Sequence, residues 1–264
     1  DFTVLELPTG WRNGAYVLGK SDKLIMMQQW YQTIHGKRRL GGNTSRNPWY
    51  KFEYFANAPV IGDMVALMNA EQAHFAPVVD AELERMIARS QADAATVLHF
   101  LDVRYLTVRV EKSPPALLQF VEDALPVTLL DEWQGIDWDG DSETIRLYRV
   151  DGGTADALTL DDGGQVYDIG GAIGSLYVAE GWSMLSGGEG FRYSLRQQVD
   201  LMLDLPNLPG VLEIDQFGHL DRVLVNGHRL AAVDEATSVN GSQPLTAVTS
   251  RFAVPAEVAN RPVD

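Results

Sequence analysis

The first 150 residues alternate between two periods of apolar spacing. Phe2–Pro8 is a short apolar run with strand character. Leu24, Met27, Tyr31 and Ile34 recur at helical spacing behind Ser21, a fair N-cap, and Gly36 is a natural helix stop. Asp80–Ser90 and Ala92–Leu101 predict two further helices, the first with Glu82 and Arg85 spaced for an i,i+3 pair. Val103–Val110 is β-branched and aromatic and predicts a strand. Ser113-Pro114-Pro115 then opens a helix to Leu125, proline being tolerated in a first turn, and Val127–Leu130 predicts the next strand. Strand, helix and strand in such close succession predict a βαβ unit with two parallel strands. Ile145–Val150 adds one more strand.

After Asp151 the texture changes. Turn signals recur at Gly152-Gly153, Asp161–Gly164, Gly170-Gly171, Gly187-Gly188 and Asn226-Gly227. Short strands are expected between them at Ser175–Ala179, Phe191–Leu195, Val199–Leu205 and Leu212–Gln216. Arg222–Asn226 and His228–Ala232 flank Asn226-Gly227, the strongest short hairpin signal in the chain. The expected fold is therefore an α/β domain over 1–150, with a βαβ-containing sheet, followed by an all-β sandwich over 151–264.

The net charge of −15 disfavours nucleic acid and anionic membranes as partners. Its distribution is uneven. Residues 12–51 hold eight basic groups against one acid, Asp22, a local +7. Without cysteine there are no disulfides or thiolate sites, and the five histidines show no metal-ligand spacing, so neither metal nor cofactor is expected. No apolar run is long enough to span a membrane, and the chain opens mid-strand, as an excised piece of a larger protein would.

The basic segment contains Tyr31-Gln32-Thr33-Ile34-His35-Gly36-Lys37, followed by Gly41-Gly42 and Ser45-Arg46. This resembles a segment of large bacterial polytopic membrane proteins of the glycosyltransferase-C superfamily, the dolichyl-phosphate-mannose mannosyltransferase-like group. The opening VLELP run and Glu180-Gly181-Trp182 with Phe191-Arg192-Tyr193 agree with it; Arg38 departs from it, standing where the family carries proline. The resemblance implies a soluble region at the extracytoplasmic face of the cell membrane, C-terminal to a multi-helix membrane part. It also implies that the catalytic carboxylate and the polyprenyl-phosphate site lie in that membrane part, outside this chain.

Candidate chemistry concentrates in the same segment. Gln32 and His35 are three apart on one helix, Lys37 follows the Gly36 stop, and Gly41-Gly42 permits a reversal that would bring Arg46 alongside. Trp30 and Trp49 add aromatic faces beside these cations, a combination suited to glycans or phosphate-bearing headgroups. The plainer alternative is that the cations relieve the negative pole of a helix end and the aromatics fill the core. Asp137, Asp139, Asp141 and Glu143 alternate as calcium ligands do, but counting an EF-hand loop from Asp137 puts Ser142 at the glycine position and Tyr148 at the glutamate position. A solvated turn about Asp139-Gly140 is expected instead.

The favoured expectation is a non-catalytic extracytoplasmic module that meets the membrane-embedded part of its parent, or a glycan or polyprenyl-phosphate headgroup. The alternatives are a self-standing carbohydrate-binding or scaffold protein, and a hydrolase whose carboxylate pair only the fold brings together.

Overall fold

A computed structural model describes residues 2–14, 16–20, 23–43, 46–70, 76–152, 158–159, 164–183, 192–203, 205, 209–238 and 247–259. Ser21, Gly153, Gly187-Gly188 and Phe191 lie outside the described residues. The chain forms two compact units, 1–203 and 204–264.

The first unit opens with β1 (Thr3–Leu7), β2 (Gly10–Asn13), β3 (Tyr16–Gly19) and α1 (Lys23–His35). Two short strands, β4 (Arg38–Arg39) and β5 (Gly42–Asn43), lead to α2 (Trp49–Asn57), α3 (Ile61–Leu67) and α4 (Ala76–Phe100). Then come β6 (Val103–Arg109), α5 (Pro115–Ala124), β7 (Val127–Ile136), β8 (Ser142–Val150), β9 (Leu158–Thr159) and β10 (Gln165–Val166).

The main sheet has the order β4-β1-β6-β8-β7. β4, β1 and β6 are parallel, and β8 runs antiparallel between β6 and β7. β1 buries four of its five residues, as a parallel strand covered on both faces should. The strand-helix-strand pattern at 103–131 is present, and β6 and β7 share a direction because both oppose β8. They are nevertheless not neighbours. The turn after β7 sends β8 back into the slot between them, so an inserted strand separates the two parallel strands of the βαβ unit. The core places Leu5, Leu7, Leu106 and Val108 of the sheet with Phe52, Met64, Leu67, Leu98, Leu117 and Phe120 of the helices.

Three local expectations change. The two helices expected over 80–101 are the single helix α4. Ser90, at the expected break, is buried and donates to Asp63 Oδ2 of α3 at 2.8 Å. The aromatic run 49–55 belongs to α2, a helix the periodicity did not announce. In α1 the buried face is Leu24, Ile25 and Gln28, which leaves Ile34 68 % exposed.

The change of texture at Asp151 is not a change of packing partner. Leu176 and Tyr177 belong to the same core as β1 and β6, and the Tyr54 hydroxyl of α2 donates to the Leu176 carbonyl at 3.1 Å. The expected strand at 175–179 is a 3-10 turn over Gly174–Leu176 followed by a single bridge from Val178 to Leu201.

The second unit contains β11 (Gly210–Phe217), β12 (Leu224–Val225), β13 (His228–Arg229), β14 (Ala231–Ser238), β15 (Ala247–Val254) and α6 (Ala256–Ala259). β11-β15-β14 form an antiparallel sheet over a small core of Leu230, Phe252, Val254 and Val258. Asn226 and Gly227 join β12 to β13 with φ of 49° and 78°, the two positive values this hairpin turn requires. Among the described residues, 151–264 form separate antiparallel sheets of two and three strands.

This packing predicts a contrast in equilibrium urea unfolding. Leu106→Ala, at the centre of the main sheet, should lower stability by roughly 2–5 kcal/mol. Ile34→Ala should change it by no more than about 0.5 kcal/mol.

Candidate functional site: a cleft behind a buried arginine

β1 and β4 leave the main sheet side by side. The chain after β1 continues into β2 and the chain after β4 into β5, and β2 and β5 pair again as parallel strands of a second sheet, β3-β2-β5. The crossing is fastened at Thr9, whose hydroxyl donates to the Leu40 carbonyl at 2.9 Å while its own carbonyl accepts from Lys20 N at 3.0 Å. Gly41 makes the crossing possible. Its φ is +100°, and a Cβ there would meet Thr9 Oγ1 at 2.3 Å and Gly10 O at 2.8 Å.

Arg39 lies at this crossing with its side chain only 2 % exposed. Its Nε donates to Glu6 Oε2 of β1 at 2.7 Å, and its Nη2 donates to Gln28 Oε1 of α1 at 2.7 Å. Gln28 in turn donates from Nε2 to the Pro8 carbonyl at 2.9 Å. One guanidinium therefore joins β1, β4 and α1. Its remaining nitrogen, Nη1, is buried and has no hydrogen-bond partner among the described residues.

Beside it opens a cleft of about 350 Å³, within the size range of small-molecule sites. Trp11 and Phe55, stacked at 4.4 Å with 21° between their planes, give it an apolar wall. Gln29, Gln32 and Asn47 give it amides, Lys51 gives it a cation, and Arg39 with its buried guanidinium borders it. The amides are oriented by the backbone around them. Gln29 donates to the Asn43 carbonyl at 3.4 Å, Gln32 to the Lys37 carbonyl at 3.0 Å, and Asn47 to the Arg12 carbonyl at 3.0 Å. No carboxylate or imidazole is among the described residues that line it.

The residues singled out in the sequence are distributed around this cleft rather than gathered in it. Gln32 lines it. His35 is exposed, and its Nδ1 accepts the Lys37 backbone N–H at 3.0 Å, which closes the helix end. The Lys37 ammonium lies 4.7 Å from the centre of the Phe2 ring. Arg46 is exposed. Trp30 is exposed against Tyr31 at 5.4 Å. Trp49 is exposed, donates to Glu53 at 2.6 Å and packs on Tyr16 at 4.5 Å. Trp11, Gln29 and Asn47 carried no distinguishing signal, and the fold alone brings them to Gln32.

The turn about Asp139-Gly140 is exposed and joins β7 to β8 as expected, but the flanking acids Asp137 and Glu143 are buried. Asp137 has no exposed side-chain surface, accepts the backbone N–H groups of Asp139 and Asp141 at 2.8 and 3.0 Å, and pairs with Lys112 at 2.9 Å. Glu143 is buried against Arg109, whose guanidinium lies 5.5 Å from the Tyr31 ring and 5.3 Å from the Trp138 ring. Among the described residues no group of acids and histidines could hold a metal ion, and no helix is long and apolar enough to cross a membrane.

Comparison with known proteins adds no relative: no family model, no curated protein and no solved structure matches the chain.

Two predictions follow the buried charges. Glu6→Gln and Arg39→Met, made separately, should each cost roughly 3–5 kcal/mol in urea unfolding because each strands the other group, whereas the pair Glu6→Leu with Arg39→Met should cost less than the sum. The Lys112 ammonium and two backbone N–H groups hold Asp137 down from an ordinary 3.8 to about 2. A carboxyl depressed in the folded state contributes stability above its unfolded pKa and loses it as pH falls through its folded one. Stability should therefore decline between pH 3.8 and about 2, and Asp137→Asn should flatten that decline and lower stability at neutral pH.

Proposed function

We propose that this chain is a non-catalytic extracytoplasmic module of a bacterial polytopic membrane protein of the glycosyltransferase-C-like class, and that it contacts glycan through the cleft beside Arg39. One observation carries the reading. The cleft combines an aromatic wall, three backbone-oriented amides and the Lys51 ammonium. Sugars need this mixture: apolar ring faces call for aromatic or aliphatic surface, and hydroxyls call for fixed donors and acceptors.

The resemblance around residues 31–46 supports the same segment as the working part. β4, Gly41 and β5 lie within it, and they form one wall of the cleft. The lining amides and the Lys51 cation suit recognition of a donor or acceptor saccharide whose chemistry is completed in the membrane-embedded part.

Titration of the purified chain with neutral mono- and disaccharides, followed by the side-chain amide resonances of Gln29, Gln32 and Asn47, tests the reading. The expected result is saturable shifts of these resonances by at least one sugar, with Gln32→Leu weakening binding about fivefold, the worth of one neutral hydrogen bond. The same chain should transfer no sugar from a polyprenyl-phosphate donor. Shifts at none of the three amides, or turnover by the chain, would contradict it.

A further inference from the structure

The main sheet ends on an open strand. β7 is the last in the order β4-β1-β6-β8-β7, and among the described residues β8 is its one strand partner. It is ten residues long, and nine of them are exposed. Its outer backbone edge is therefore open to pairing with another chain, which native edge strands resist with lysine, proline or short length. β7 contains neither lysine nor proline. Its one irregularity is a bulge between Leu129 and Asp131, which leaves 131–136 in regular register with β8. The exposed apolar side chains along it are Leu129, Leu130, Trp133 and Ile136, at 49, 46, 49 and 77 %.

Symmetry limits how two copies of such an edge can meet. When identical strands pair antiparallel about a two-fold axis normal to the sheet, one residue stands opposite its own copy, because successive residues point to opposite faces. Charge then selects that residue. Centring on Asp131 or Glu132 sets an acid against itself, which is unfavourable. Centring on Gln134 sets Asp131 against the copy's Asp137, and centring on Gly135 sets Trp133 against Asp137 beyond the end of the strand. Centring on Trp133 sets Trp133 against itself, Leu130 against Ile136, Glu132 against Gln134 and Asp131 against Gly135. In that register no acid meets an acid, and apolar side chains meet one another. Glu132 is already neutralised within its own chain by Arg146 at 2.8 Å.

The same register fills a groove. Val127, Leu129 and Tyr148, with Glu122 and Arg146, line a groove of about 330 Å³ beside the edge. Glu132 reaches Arg146 on this face of the sheet, and strand alternation puts Ile136 on the same face. The copy's Ile136 then lies opposite Leu130, next to the groove, and covers it.

We propose that β7 is the contact edge of a homodimer: a second copy of this chain pairs with it antiparallel, Trp133 against Trp133, and joins the two five-stranded sheets into one continuous sheet. The cleft residues lie on other elements, so the dimer stands or falls independently of the glycan reading.

Sedimentation equilibrium of the 264-residue chain tests it, at about 0.15 M salt, where repulsion between two chains of charge −15 is screened beyond about 8 Å. The expected result is a monomer–dimer equilibrium in the micromolar range. Trp133→Lys places a cation on the edge and should raise the dissociation constant at least about thirtyfold, the scale of a hot-spot contact, with the circular dichroism of a folded chain retained. Ile136→Lys, at the most exposed of these positions, should weaken the dimer in the same way and decides if Trp133→Lys fails to fold. The chain has no cysteine, so introduced thiols report the register. Asp131→Cys and Gly135→Cys chains, mixed and oxidised with copper phenanthroline, should cross-link far faster than either chain alone, because these positions face each other while each lies roughly 14 Å from its own copy.

A monomer at every concentration up to about 100 μM would overturn the proposal and leave the edge to a strand of a different protein. A dimer indifferent to both lysine variants, or one without the mixed disulfide, would overturn it by placing the contact elsewhere.

Discussion

Burying a guanidinium is the constraint on which the front of this molecule is organised. Arg39 sits where two parallel strands leave one sheet for another, and taking its charge out of water is unfavourable unless a carboxylate and further acceptors meet it. Glu6 from β1 and Gln28 from α1 supply them, and Gln28 is held in turn by the Pro8 carbonyl. Three elements distant in sequence thereby acquire one relative position. The pair need not add net stability over an apolar substitute. Its effect is to make alternative registers of β4 against β1 expensive, because each would leave Glu6 or Arg39 buried and alone.

The cleft follows from that arrangement. With Arg39 held flat against β1, the chain can proceed only through Leu40 and Gly41, and the Gly41 backbone passes so close to Thr9 and Gly10 that no side chain fits. β5 then pairs with β2, and α2 brings Phe55 onto Trp11. The lining is what these contacts leave open: rings on one side, amides oriented by the loops they touch, and the Lys51 ammonium. A second buried ionic set, Arg109 with Glu143 and Lys112 with Asp137, anchors the β7–β8 turn, with the Trp138 ring near both Arg109 and Lys23. It is a structural counterpart to the Arg39 cluster, with its carboxylates matched to cations.

What the sequence reveals and what it hides divide along the range of the interactions. Local rules are legible. Gly36 stops α1 with φ at +65°, Pro115 opens α5, and Asn226-Gly227 forms its hairpin. The position of β8 is not legible, since the same IRLYRV run would pair with either edge of β7, and only the slot between β6 and β7 settles the matter. The cleft shows the same division. The +7 segment marks the right region, and Gln32 is the singled-out residue that lines the cleft. Nothing local distinguishes Arg39, the buried cation, from Arg38, the exposed one. The difference is a strand alternation: adjacent residues of β4 face opposite sides, and the side that meets Glu6 is fixed by pairing with a strand more than thirty residues away. Trp11 and Asn47 are likewise ordinary in sequence and reach the cleft through the second sheet.

The central claim is that Glu6 and Gln28 fix the buried Arg39 guanidinium and, with it, the register of β4 against β1. Nitrogen-15 NMR of the arginine side chains tests it most directly. The account predicts that the Arg39 guanidinium protons exchange slowly with solvent and that Glu6→Gln speeds their exchange, while those of exposed Arg46 exchange rapidly in both proteins. Rapid solvent exchange at Arg39 in the unaltered protein would contradict it.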